Sequence, residues 1–376
     1  MQSIFENIRF YNPEEVQSAL LSMQKHPMMQ ALLRFTFPQK SEEEISSVLK
    51  SINSIEDFQS KVIRFCIQNI LSQSSEGLKV SGLENLDKSK TYLFISNHRD
   101  IVLDTSLLNL ALLENDFQLT ASAIGDNLVQ RDIFMVLARL NRNFLVSRDV
   151  SPRELLKSSQ MLSEYIKYLV LESHQNVWIA QREGRTKDGN DNTHPGVLKM
   201  LAMANGKNDV CDYFEKLNLL PVSISYEFDP TDKLKTVKAH QSKDIPKDKN
   251  EDFNNVMAGV LGQKKHIHIH FGKTMETDYS RIKAESENAN QEIQNLAKAV
   301  DKQIIGNYHL FPTNFIAYDV LTKGNRFSGR YSESERDFFV RRLELNIDKN
   351  QESFLNHYLG MYANPVKNKL DLGLEI

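Results

Sequence analysis

The 376-residue chain is expected to fold as an α/β protein, a mixed and largely parallel sheet flanked by helices, with additional N- and C-terminal helical regions. Three observations predict this. Between Leu78 and Phe271, short β-type apolar runs alternate with helix-length segments, the pattern of crossover connections. Before Leu78 and after about Tyr279 the apolar residues recur mostly at helical spacing. The composition, 40% hydrophobic and 25% charged, is that of a globular chain able to bury a substantial core. The divisions that follow are 1–77 (helical), 78–275 (α/β) and 276–376 (helical).

The elements follow in order. Pro13-Glu14-Glu15 opens a helix, with Val16, Leu20 and Met23 behind it. Ser41-Glu42-Glu43-Glu44 opens another, carrying Ile45, Val48, Leu49 and Ile52, and a third runs near Phe58 to Leu71. Leu78 to Leu83 reads as strand and turn. Strands are then expected at Tyr92 to Ile95, Gln118 to Ala123, Phe144 to Val146, Val177 to Ala180, Leu220 to Tyr226 and His266 to Phe271. Helices are expected at Asp104 to Leu113, Val129 to Leu140 and Pro152 to Val170. The Lys- and Asp-rich segment Asp229 to Asp252 reads as an exposed loop, its lysines 233, 235, 238, 243, 247 and 249 diluted by aspartates. Ala284 to Ile304 reads as one long amphipathic helix, and Ser334-Glu335-Arg336-Asp337 leads into a further one.

Several classes are disfavoured. A net charge of −3 argues against a mainly nucleic-acid-binding role. Cys66 and Cys211, the two cysteines, lie far apart and suggest no disulfide framework. The first residues show no basic region followed by an apolar one, so no signal peptide is expected. No run approaches the roughly 18–20 apolar residues that span a bilayer.

The most informative stretch is Ser96-Asn97-His98-Arg99-Asp100-Ile101-Val102-Leu103-Asp104, between a strand and a helix. An open α/β sheet builds its chemistry at such strand ends. A neutral imidazole there accepts a proton, and a carboxylate fixes its tautomer. The bland alternative is a structural histidine with Asp100 as a helix N-cap. Either Asp104, the favoured partner, or Asp100 can face His98.

Three further segments lie at strand ends in sequence order: Asn141-Arg142-Asn143-Phe144-Leu145-Val146-Ser147-Arg148, Trp178-Ile179-Ala180-Gln181-Arg182-Glu183-Gly184-Arg185-Thr186, and Leu220-Pro221-Val222-Ser223-Ile224-Ser225-Tyr226-Glu227. Each taken alone is equally a surface arginine, a charged turn or a core strand. Together with Asn97-His98-Arg99…Asp104 they resemble, in order, the four motifs of the glycerolipid acyltransferase superfamily, the glycerol-3-phosphate and 1-acylglycerol-3-phosphate acyltransferases. The chain departs from the family pattern twice. Five residues rather than four separate His98 from Asp104, and Arg182 replaces the proline of Pro-Glu-Gly-Thr-Arg-Ser, with Arg185-Thr186 in reversed order.

The resemblance implies transfer of a fatty acyl group from an acyl thioester, acyl-CoA or acyl carrier protein, to a hydroxyl of glycerol 3-phosphate, lysophosphatidate or a related polar lipid. His98 is then the general base and Asp104 its partner, and N–H groups near Arg99 to Ile101 face the developing oxyanion. Asn97, Arg99, Arg148, Arg182, Glu183, Gly184 and Arg185 are expected to bind substrate. No metal and no cofactor beyond the thioester co-substrate is required. The expected setting is cytoplasmic, peripheral on the inner face of the membrane. The alternative is a catalytically altered lipid-binding or scaffold protein of the same fold. A rival metal reading rests on His266, His268 and His270, on one face of a strand; no acidic partner is evident beside them in sequence, and the structural role is favoured.

Overall fold

The computed structural model describes residues 2–148, 150–206, 209–241, 251–348 and 350–376. Lys243, Lys247 and Lys249 of the basic segment lie outside the described residues.

Among the described residues seven strands form one sheet: β1 (Ser75–Ser81), β2 (Leu93–Ser96), β3 (Ala121–Gly125), β4 (Asn143–Val146), β5 (Val177–Ala180), β6 (Leu219–Tyr226) and β7 (Lys265–Phe271). Their order is β1-β7-β6-β2-β5-β3-β4. Pairing is parallel except between β6 and β7, where Val222 lies opposite Phe271 and Tyr226 opposite Ile267. The mixed, mainly parallel sheet expected from the alternation is therefore present. β2 to β6 all end on the same side of the sheet, and β7 starts there.

Strand alternation divides the core. Leu93, Ile95, Val177, Ile179 and Leu219 face one layer, with Leu162, Ile166, Leu198, Phe214, Leu296 and Val300. Phe94, Trp178, Leu220, Val222, Ile224, Ile267 and Ile269 face the other, with Leu103, Leu107, Ile67 and Ile70. Every residue of β6 is buried, as expected of a strand covered on both faces, and six of the eight are apolar, Pro221 and Tyr226 included. The N-terminal helices Pro13–Met23, Pro27–Thr36 and Glu42–Lys50 pack Val16, Leu20, Met29, Leu33 and Leu49 against Ile133, Val136 and Leu140 of helix Asp132–Leu140. Helices Pro312–Leu321, Glu333–Asn346 and Glu352–Asp371 build a separate C-terminal cluster around Phe339, Tyr358 and Tyr362. Among the described residues no helix is long and apolar enough to cross a membrane.

Two expectations need correction. The segment from Asp229 is not a plain exposed loop: Asp232–His240 is a helix, and Asp232, Lys235 and Thr236 are buried in it. Its buried charges are paired. Lys235 Nζ bonds Asp229 Oδ2 and, at 2.8 Å, the Arg99 carbonyl, while Asp232 Oδ2 accepts from the hydroxyls of Tyr358 and Tyr362 at 2.6 and 2.7 Å. The long helix expected from Ala284 is present but starts at Ala289 and runs to Asn307, because Asn288 takes an extended conformation and caps it; a separate helix, Glu276–Ala284, precedes it.

Helix Ala289–Asn307 reaches the loop after β5 through Asp301, whose Oδ1 accepts the Thr193 N–H at 2.6 Å. Burial pushes this carboxyl up to about 6. The native state then holds the proton more tightly than the unfolded chain. Asp301 contributes its full stability below about pH 4, and this is lost as pH rises through about 6. Asp301→Asn keeps the carbonyl acceptor and removes that loss, so its melting temperature should gain on wild type between pH 4 and pH 7. An equal difference at both pH values would contradict the assignment.

Candidate active site

β2 ends at Ser96, and four of the next eight residues are Asn97, His98, Arg99 and Asp100, with Asp104 closing the stretch. Helix Leu103–Leu113 starts one residue before Asp104. Asp100 Oδ1 accepts the Val102 and Leu103 N–H groups at 2.9 and 2.8 Å, so Asp100 caps the helix. That turn absorbs the extra residue between His98 and Asp104 and swings Asp104 back under the imidazole.

His98 Nδ1 lies 2.8 Å from Asp104 Oδ2. The same oxygen accepts the backbone N–H groups of Arg99 at 2.6 Å and Asp100 at 3.0 Å, and Asp104 Oδ1 accepts the Tyr226 hydroxyl at 3.0 Å. Burial, then the neighbouring Asp104 and Asp100 charges, holds the Tyr226 phenol well above its ordinary range, so it remains a donor. Asp104 is fully buried, whereas His98 is 15% exposed. A carboxylate at Nδ1 fixes the proton there and leaves the Nε2 lone pair free. Trp178 supports the ring edge-on, with centroids 5.6 Å apart, and Thr186 N–H bonds the His98 carbonyl at 2.9 Å.

The other expected residues divide into two groups. Asn97 and Arg99, expected to touch substrate, are instead turned inward and buried. The Asn97 amide pairs with both backbone groups of Ile224, at 2.9 and 2.8 Å, prolonging the β2–β6 ladder by one side chain. Arg99 is ion-paired to buried Asp191 and lies over the Tyr308 ring, 5.0 Å from its centroid. Both hold the loop in place. The expected oxyanion donors also change: the Arg99 and Asp100 N–H groups are consumed by Asp104.

The second group lines the surface. Arg148 Nη1 bonds Glu183 Oε1 at 2.5 Å, joining the ends of β4 and β5, and Gly184 beside it is exposed at φ +68°, a conformation open to glycine. Arg182 and Arg185 are half-buried; Arg182 reaches the Asn190 carbonyl and Arg185 the Thr231 hydroxyl, each at 3.4 Å.

On the sheet's other face His266, His268 and His270 form no convergent ligand set. His268 Nε2 and His270 Nδ1 bond Ser81 Oγ at 2.9 and 2.8 Å. His266 does have acidic partners, contrary to the sequence expectation: Glu227 at 2.5 Å and Glu76 at 3.2 Å. Glu227 is adjacent in space because β6 and β7 run antiparallel. Ring repulsion and, foremost, burial push His268 down to about 4. Among the described residues the one group close enough to share a metal is Asp209, Cys211 and Glu292, and Lys283 already pairs with Asp209 there at 3.3 Å.

The sequence model of the acyltransferase family matches residues 77–225. Over those residues, less than half of the chain, the sequence is similar to the acyltransferase family. The match bears out the resemblance to the glycerolipid acyltransferase superfamily drawn from the four motifs. No curated protein matches the chain in sequence. A crystal structure of the 1-acyl-sn-glycerophosphate (LPA) acyltransferase PlsC from Thermotoga maritima is similar at 13% identity and a TM-score of 0.36, over 77% of this chain and 94% of that one.

Parts of the site come from outside the matched segment. Tyr226 is the residue immediately beyond the matched segment, Lys235 follows it, and Tyr308 comes from the C-terminal region. Tyr226 stands in the fourth motif segment without a role assigned to it there, Lys235 and Tyr308 lie in no motif, and only their contacts reveal all three. Helix Glu251–Leu261 sits on the His98 loop: a Cβ at Gly259 would lie 2.0 Å from Asp100 Oδ2. Gly259→Ala must therefore lift the helix or displace the cap. It is expected to destabilise by on the order of 1–3 kcal/mol, outweighing the gain in helix propensity of about 1 kcal/mol. An unchanged urea midpoint would refute that contact.

Proposed function

We propose that the protein transfers a fatty acyl group from an acyl thioester, acyl-CoA or acyl carrier protein, to a hydroxyl of glycerol 3-phosphate, lysophosphatidate or a related polar lipid. The observation that carries this reading is the His98–Asp104 pair within the segment similar to the acyltransferase family, with the carboxylate held by Arg99 N–H, Asp100 N–H and Tyr226.

An alcohol is a weak nucleophile at neutral pH. His98 Nε2 takes its proton as the oxygen attacks the thioester carbonyl, and Asp104 stabilises the imidazolium. The C–O bond forms, the C–S bond breaks, and the proton passes from Nε2 to the departing thiolate. Direct transfer fits the buried state of the chain's two thiols and of Ser96. Cys66 and Cys211 are buried, and burial raises both thiols, Cys211 to about 12. Ser96 Oγ is buried and bonded to Trp178 Nε1 at 2.9 Å. Arg148, Arg182 and Arg185, around Glu183 and Gly184, supply cationic donors for an acceptor phosphate. The protein meets its lipid substrate at a membrane surface without spanning it.

The test is thiol release from palmitoyl-CoA, with glycerol 3-phosphate and with lysophosphatidate, in wild type and His98→Ala. Acceptor-dependent release that His98→Ala abolishes supports the reading. Absence of release with either acceptor, and with an acyl carrier protein donor, would replace it by a non-catalytic lipid-binding role.

A further inference from the structure

Helix Pro152–Leu171 begins at the site end of the sheet, shortly after Arg148, and its first turns are covered by none of the described residues. Residues 151 to 157 are all exposed. At 1.5 Å per residue this is a projection of roughly 10 Å. The tip is rigid, because Ser151 and Glu154 close a capping box.

The projecting surface is apolar where it should be polar. Leu155 and Leu156 are 51% and 65% exposed. Leu155 stands at i−7, i−11 and i−14 from the buried Leu162, Ile166 and Leu169, so it continues the helix's core-facing stripe past the edge of the core. Arg153 and Lys157, exposed and one turn apart, flank it. A second tip of the same chemistry rises from the same end of the sheet. Helix Asp232–His240 follows β6, exposes Leu234 and Val237 beside Lys233, and is tied to the His98 loop through Lys235.

We infer that the start of helix Pro152–Leu171 is a docking element for an anionic lipid surface, inserting Leu155 and Leu156 between head groups that Arg153 and Lys157 contact. The inference rests on the reading of the domain as acting on lipids. A lipid surface suits this tip because the leucines point off the body with cations at their flank, the arrangement in which long basic side chains lie along an apolar boundary with their charge in the head-group layer. Both tips rise from the strand ends that carry His98, so docking brings the site's mouth to the lipid.

The experiment is co-sedimentation of the full chain with phosphatidylcholine vesicles containing phosphatidylglycerol, and with phosphatidylcholine alone. Leu155→Ser/Leu156→Ser should lower the bound fraction at least about tenfold and leave the melting temperature unchanged, because neither leucine is in the core. Arg153→Gln/Lys157→Gln should abolish the preference for phosphatidylglycerol. A leucine variant that sediments like wild type overturns the proposal, as does wild type that binds neither vesicle. Dissociation of a dimer by the leucine change, without vesicle binding, overturns it in favour of a contact between copies. Thiol release assayed on dispersed substrate separates this outcome from the catalytic reading: wild type that transfers acyl groups but ignores vesicles loses only the docking surface.

Discussion

His98→Ala is expected to lower acceptor-dependent thiol release by about 10²–10⁴-fold, the contribution of a positioned general base, while leaving the fold intact, since His98 sits at the edge of the loop. Asp104→Asn should cost activity and stability together. Asp104 accepts from His98, Arg99 N–H, Asp100 N–H and Tyr226. An asparagine offers one oxygen for these donors and adds an NH₂ that faces some of them, which costs about 1–3 kcal/mol for each buried group left unpaired. Tyr226→Phe is the informative companion. It removes one donor from Asp104 and touches neither His98 nor substrate, so its effect should be smaller and should shift the acid limb of the pH–rate profile upward, because a carboxylate with fewer hydrogen bonds favours the imidazolium more. A Tyr226→Phe profile superimposable on wild type would remove Tyr226 from the positioning of the pair.

Arg99→Met is expected to be the most destabilising single substitution near the site. It leaves Asp191 buried without its cation, and breaking a buried pair this way costs about 3–5 kcal/mol. The effect should extend to the His98 loop, because the Arg99 carbonyl and N–H are held by Lys235 and Asp104. Arg99→Met/Asp191→Leu should recover much of the loss, since replacing both members of a buried pair by apolar groups is often near neutral. Urea unfolding of the two variants decides this. A single variant within about 0.5 kcal/mol of wild type would show that the pair does not hold the loop.

The strands and main helices were legible in the sequence because their signals are local. Val177 to Ala180 and Leu220 to Tyr226 are short apolar runs, and Ser41 and Ser151 are helix caps followed three residues later by glutamate. Asp232–His240 was not legible. Its lysines and aspartates read as a solvated face, and only pairing with Asp229, Tyr358, Tyr362 and Arg342 makes their burial tolerable.

The amino-acid order alone places a histidine at a strand end with carboxylates close behind, and three more strand ends with Arg148, Arg182 to Arg185 and the Leu220 segment in the family's order. Spacing along one chain sufficed, because those elements are contiguous. It left open whether Asp100 or Asp104 meets His98, since that depends on the path of a loop. The tertiary structure decided it by capping the helix with Asp100 and placing Asp104 under the ring. The same holds for Asn97, Arg99 and Tyr226. Their partners Ile224, Asp191 and Asp104 are 127, 92 and 122 residues away, and a hydrogen bond at that separation is a property of the sheet's strand order.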